Sequence, residues 1–123
     1  MSRSDRGSIT AHAVWVGAAL CAVAVIMTQV AVAVRVHHQA TSAADLAALA
    51  GSRAASAGRD GCAAARDVAR RNGARLVRCR MDLGVATVTA RRETDRWWGR
   101  VWTFEVDARA APADYVPAGA AGR

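Results

Sequence analysis

Hydrophobic and polar positions follow three rhythms along this chain. Residues 7–34 carry no charged side chain, and residues 13–34 (AVWVGAALCAVAVIMTQVAVAV) form an apolar run in which only Thr28 and Gln29 are clearly polar. Coiled as a helix, such a run is about 33 Å long, enough for a hydrocarbon core of about 30 Å. A helix satisfies its own backbone hydrogen bonds, which lipid cannot do. Trp15 lies near one end, where an interfacial aromatic ring is favourable. The pattern predicts a transmembrane helix, because a soluble part this small has no core able to surround it. A cleaved secretory signal is the competing reading. Its apolar region is normally ~7–15 residues and ends in a small-x-small site. Ala31-Val32-Ala33 fits such a site, but the length of the run argues against it.

Beyond Val34 the helical rhythm continues. Residues 39–56 are rich in helix formers, and Leu46, Ala50 and Ala54 fall on one stripe with Ala43 and Ala47. Ser42 and Asp45 have the spacing of a capping box, which marks a restart after a bend at His37-His38-Gln39. The alternative is one nearly continuous helix with Asp45 in solvent. Gly58 and Gly61 end this segment. A short second helix follows over residues 62–74, with Cys62, Ala65, Val68 and Ala69 on one face and an Asp67–Arg71 pair on another. Asn72-Gly73 is its stop, with Gly73 suited to a left-handed conformation.

The period then changes to two. Residues 76–83 place Val77, Cys79, Met81 and Leu83 on one face and Arg78, Arg80 and Asp82 on the other, and Asp82-Leu83-Gly84 reads as a tight turn. Residues 85–91 form a second strand with Ala86, Val88 and Ala90 inward and Thr87 and Thr89 outward. After a connection at 93–96, a third strand over 99–108 places Trp102, Phe104 and Val106 against Thr103, Glu105 and Asp107. Three antiparallel strands with one apolar face need a cover, and the second helix is the obvious one. Cys62 and Cys79 then point into one small core. They form a disulfide if the part lies outside the cytoplasm, and otherwise remain two buried thiols.

The expected fold is therefore α+β. It has a leader-like segment at 1–12, a transmembrane helix at 13–34 and a helical extension at 35–58. A small α+β head follows at 59–110, then a disordered tail at 111–123. The 123 residues allow one modest domain at most.

Composition changes this picture little. All 17 basic residues are Arg, and the net charge is +7. Together with abundant alanine, this reads first as a G+C-rich coding bias. The arginines are dispersed, with local pairs only at Arg70-Arg71 and Arg91-Arg92, and no nucleic-acid recognition motif accompanies them, so no nucleic-acid partner is expected. Flanking charges (Arg3, Asp5 and Arg6 against Arg35, Asp45 and Arg53) leave orientation undecided by the positive-inside rule. Gly17 with Cys21, and Ala18 with Ala22, offer small residues at spacing four for helix packing in a membrane.

No phosphate loop, GxSxG or HExxH motif occurs. His37-His38 read as a solvated juxtamembrane pair, and Cys62 and Cys79 lack the spacing and partner ligands of a zinc site. No enzyme activity, cofactor or metal is expected. Trp102 is expected in the core, with Trp97 or Trp98 exposed as a contact for a partner or a membrane surface.

The order of parts also carries a resemblance. Asp5-Arg6-Gly7-Ser8 precedes the apolar helix, and Gln39 is followed by Ala43-Ala44-Asp45-Leu46-Ala47-Ala48-Leu49-Ala50. This resembles the TadE/TadG-like proteins of Flp (tight-adherence) pilus assembly. With the Cys62 helix, Asn72 to Val77 and Cys79, it resembles the small actinobacterial TadE-like subgroup encoded near a helicase gene. The resemblance covers roughly residues 4–90. It implies a non-catalytic, pilin-like, single-pass membrane protein, a minor component or assembly factor of a type IV-related pilus or secretion machine. The N-terminus would be cytoplasmic and the head outside. The implied partners are membrane lipid and other pilin-like or pilus-assembly proteins, with homo- or hetero-oligomers through the transmembrane helix.

The resemblance also implies processing by a prepilin peptidase between Gly7 and Ser8. The fifth residue after that glycine is usually Glu in the family pattern and is His12 here. An imidazole cannot supply the negative charge that would compensate a neighbour's N-terminal amine inside a membrane. Two other classes remain open. One is a secreted binding module with a mature N-terminus near Arg35. The other is a basic, membrane-anchored protein that binds nucleic acid or anionic lipid.

Overall fold

A computed structural model describes residues 5–96 and 99–117, with side chains from Ile9 onward. The architecture is α+β. Its elements are α1 (Asp5–Ser56), α2 (Gly61–Arg71), β1 (Arg75–Asp82), β2 (Val85–Glu93) and β3 (Thr103–Ala110). The chain divides into two compact units, one ending at Arg35 and one beginning at Val36.

The first unit is the apolar part of α1. It is hydrophobic around its whole circumference, and Leu20, Val25, Ile26 and Met27 are all exposed. In length and composition it suffices to cross a membrane. Its polar Thr28 donates to the Ala24 carbonyl at 2.8 Å, so that hydroxyl is satisfied within the helix.

In the second unit, α1 continues without interruption to Ser56, so no helix restarts at Ser42. Ala40, Ala43, Ala44, Ala47, Ala48, Gly51, Ser52 and Ala54 are its buried stripe. Ala43, Ala44, Ala47 and Ala48 pack with Ala65 and Ala69 of α2 and with Val88, Ala90, Ala108 and Ala110 of the sheet. Small side chains let the backbones come close. A Cβ on Gly51 would lie 3.2 Å from the Gly61 carbonyl oxygen and 3.3 Å from the Ala86 Cβ. The sheet is thus covered by α1 as well as by α2. Leu46, read on one stripe with Ala43 and Ala47, does not share their burial. It is 46% exposed, because the α1–sheet spacing is set by Ala and Gly.

Both helices end in a Schellman arrangement. For α1, Arg59 N donates to Ala54 O at 2.8 Å and Gly58 N to Ala55 O at 3.0 Å. For α2, Ala74 N donates to Ala69 O at 2.9 Å and Gly73, at φ 70°, donates to Arg70 O at 3.0 Å. Asp60 caps the start of α2 by accepting from Ala63 N at 2.9 Å.

The strands lie in the order β1-β2-β3, antiparallel throughout. Leu83 and Gly84, at φ 48° and 82°, form the two-residue hairpin between β1 and β2. Two inward assignments on β1 are corrected. Leu76 pairs with Ala90 and Arg78 with Thr89, so Val77 is an extra residue in the ladder. This bulge turns Leu76 and Cys79 towards the core and leaves Val77 exposed. Leu83 belongs to the turn and is 96% exposed.

Trp102 is likewise not a core residue. β3 starts only at Thr103, and Trp102 closes the preceding loop by donating its N–H to Thr94 Oγ1 at 3.0 Å, its ring being exposed. Beyond β3, Tyr115 N donates to Pro112 O at 3.1 Å, forming a turn within the segment expected to be disordered.

Candidate functional site

The described residues singled out in the sequence fall in four places. Gly7 and Ser8 lie in the first turns of α1, and His12 follows one turn later with its side chain exposed. Gly17 and Cys21 are one turn apart on the apolar segment. A Cβ at Gly17 would meet nothing within 4 Å, and Cys21 is an exposed free thiol. Arg3, Trp97 and Trp98 lie outside the described residues.

The family-like motif splits between two faces of α1. Ala43 and Ala44 are buried in the head and Gln39 is half-buried, whereas Asp45, Leu46 and Leu49 face solvent. Leu46 and Leu49, three residues apart, leave an apolar strip on α1 opposite the alanine stripe that meets the sheet. His37 meets the Phe104 ring edge-on, with centroids 6.1 Å apart. Both His37 and His38 are exposed, so the pair is solvated, and His37 in addition touches the head.

Cys62 and Cys79 form a disulfide with a Cα–Cα distance of 5.8 Å, tying the first turn of α2 to the middle of β1. The faces deduced for both cysteines bring them together even though the Val77 bulge changes the phase of β1 before Cys79.

A further assembly was not read from the sequence. A cleft of about 560 Å³ opens where the end of α2 meets the start of β1 and the end of β2, lined by Arg66, Arg70, Arg75, Arg91, Arg92 and Glu93 among others. Arg92 Nη1 donates to the carbonyl oxygens of Asn72, the C-cap of α2, at 2.9 Å and of Gly73, the residue after it, at 3.2 Å. Arg70 pairs with Asp67 at 2.9 Å, and Arg71 Nε reaches the same carboxylate at 2.8 Å. Arg91 Nε donates to Glu105 at 2.8 Å across the β2–β3 ladder. The pairs Arg70-Arg71 and Arg91-Arg92 are visible in the sequence, but only the fold sets Arg70, Arg91 and Arg92 around one opening. Compared with protein-family models, curated proteins and solved structures, the chain finds no match.

Proposed function

We propose that this chain is a non-catalytic, pilin-like membrane protein of the TadE/TadG-like kind. It would serve as a minor component or assembly factor of a Flp-type pilus or a related secretion machine. The observation that carries this reading is the division of labour along α1. One uninterrupted helix is apolar and exposed up to Arg35, then alanine-striped and packed on an antiparallel sheet from Ala40 to Ala54. Such a helix anchors and presents the head with a single element. Lateral assembly through Gly17 and Cys21 in the membrane, and through Leu46 and Leu49 beyond it, needs no catalytic group. The disulfide supports an extracytoplasmic head, since such bonds persist in oxidising compartments. That orientation puts Arg3 and Arg6 on the cytoplasmic side.

A second reading, a binding module released by signal peptidase, is favoured by the boundary between the two compact units at Arg35 and Val36, just after Ala31-Val32-Ala33. One experiment separates them: N-terminal sequencing of cell-associated and released protein, combined with labelling of intact cells by an impermeant thiol reagent before and after external reduction. The pilin-like reading expects cell-associated protein starting at Met1 or Ser8, with Cys62 and Cys79 labelled only after reduction. Released protein starting near residue 34 supports the secreted module. Thiols that label only after lysis place the head in the cytoplasm and overturn both.

A further inference from the structure

The arginines around the cleft are not equivalent. Arg92 caps α2, Arg70 is paired with Asp67, and Arg91 with Glu105. Those three are accounted for by the helix end and the sheet. Arg66 and Arg75 are exposed, and among the described residues neither guanidinium has a hydrogen bond or ion pair. They line the same opening, whose wall carries five arginines and a single carboxylate, Glu93. Guanidinium forks match phosphate oxygens in pairs, and a concave wall with excess positive charge concentrates anions.

The position of the cleft narrows the anion. Arg92 lies opposite Phe104 in the β2–β3 register, and Phe104 meets His37. His37 is three residues beyond Val34, the end of the apolar run. The far end of the sheet, where Ser52 donates to Gly84 O at 2.9 Å, lies 15 residues later on α1, about 22 Å along the helix. Within the second unit, therefore, the arginine cleft, and not the β1–β2 hairpin, lies at the end where Val36 begins, two residues after the apolar run. Val101 and Trp102, 45% and 58% exposed, lie in the loop that leads into β3 at this same end. Arginine beside exposed tryptophan suits the boundary between headgroups and acyl chains.

We propose that the cleft holds the phosphate of an anionic phospholipid, with Arg66 and Arg75 as its free donors, and that this contact seats the head on the membrane that α1 crosses. The proposal rests on reading α1 as a membrane span.

The test uses the full chain in nanodiscs of phosphatidylcholine alone or with one-third phosphatidylglycerol, followed by amide hydrogen exchange. Residues 73–76 and 91–93 are expected to exchange more slowly in the anionic discs. The effect is expected to fall about 5-fold for each arginine removed in R66Q and R75Q, and to be unchanged in R59Q and R109Q. All four positions are exposed, and an intact disulfide with an unchanged melting temperature verifies folding. Equal exchange in both discs overturns the lipid site. So does protection produced in neutral discs by inorganic phosphate or by an oligonucleotide as strongly as by phosphatidylglycerol. Failure of the chain to enter discs at all, with the protein remaining soluble without detergent, instead overturns the span.

Discussion

At Gly73, backbone conformation and packing impose the same requirement. Its φ is 70°, and a Cβ there would sit 2.6 Å from Arg92 Nη1. Alanine has to adopt a left-handed conformation while displacing the guanidinium that caps α2. Gly73→Ala is therefore expected to cost about 1–3 kcal/mol, read as a lower denaturant midpoint with an unchanged slope. Leu83 is the opposite case. It holds φ 48° with its side chain almost fully in water, so it combines a strained backbone with no burial. Asparagine tolerates that region and suits the first position of the turn. Leu83→Asn is expected to stabilise the head by about 0.5–1 kcal/mol in the same measurement, and no gain would mean that Leu83 has contacts beyond this chain. Gly73 was legible in the sequence because Asn-Gly after an amphipathic run has a known chemistry. The Val77 bulge was not, because alternation in Arg75–Asp82 looks unbroken and the slip is decided by pairing with Val85–Glu93.

For the elements, legibility followed period. The change from 3.6 to 2 located two helices and three strands, and the long uncharged run announced α1. What the pattern did not decide was which face of α1 is buried: of the stripe read from the sequence, Ala43, Ala47 and Ala54 are buried and Leu46 is not. A rule that sends leucine inward would place Leu46 in the core, but α1 builds its contact from Ala43, Ala44, Ala47, Ala48 and Gly51, and the leucine that packs against this cluster, Leu76, comes from β1. The predicted asymmetry is sharp. Ala47→Leu, at a residue with no exposed surface, is expected to lose about 1–3 kcal/mol through overpacking. The larger chemical change Leu46→Gln is expected to leave the thermal midpoint of the head within error. Equal destabilisation by the two would show that the small-residue stripe does not set the α1–sheet distance. Val88 is the largest fully buried side chain among the described residues. A core of this kind yields little apolar burial per residue and leans on its covalent link. Reducing Cys62–Cys79, which closes a loop with a sequence separation of 17, is expected to cost about 3 kcal/mol. That cost should appear as a large fall in the unfolding midpoint with reductant present.

For the molecule as a whole, the two units ask for different surroundings, and the disulfide makes the dependence of one on the other measurable. The unit ending at Arg35 exposes Val23, Ile26 and Met27, which lower the free energy only if hydrocarbon replaces water around them. The unit from Val36 onward presents a polar outer sheet face of Thr87, Glu105, Asp107 and Arg109, all exposed, while Thr89, read as outward, is buried and donates to Asp107 at 2.5 Å. If α1 carries the head across a membrane, oxidation of Cys62 and Cys79 depends on insertion of residues they never touch. Val23→Arg with Met27→Arg places two charges in the middle of the apolar segment, each costing about 2.5–3.5 kcal/mol to insert. The head sequence is untouched. In cells the double variant is expected to lose membrane fractionation and, in the same molecules, to show reduced Cys62 and Cys79 on a non-reducing gel after thiol trapping. Single substitutions at Leu83 are expected to change neither. A double variant that stays soluble yet fully oxidised would break the link between insertion and oxidation, and with it the ground on which an extracytoplasmic head is proposed.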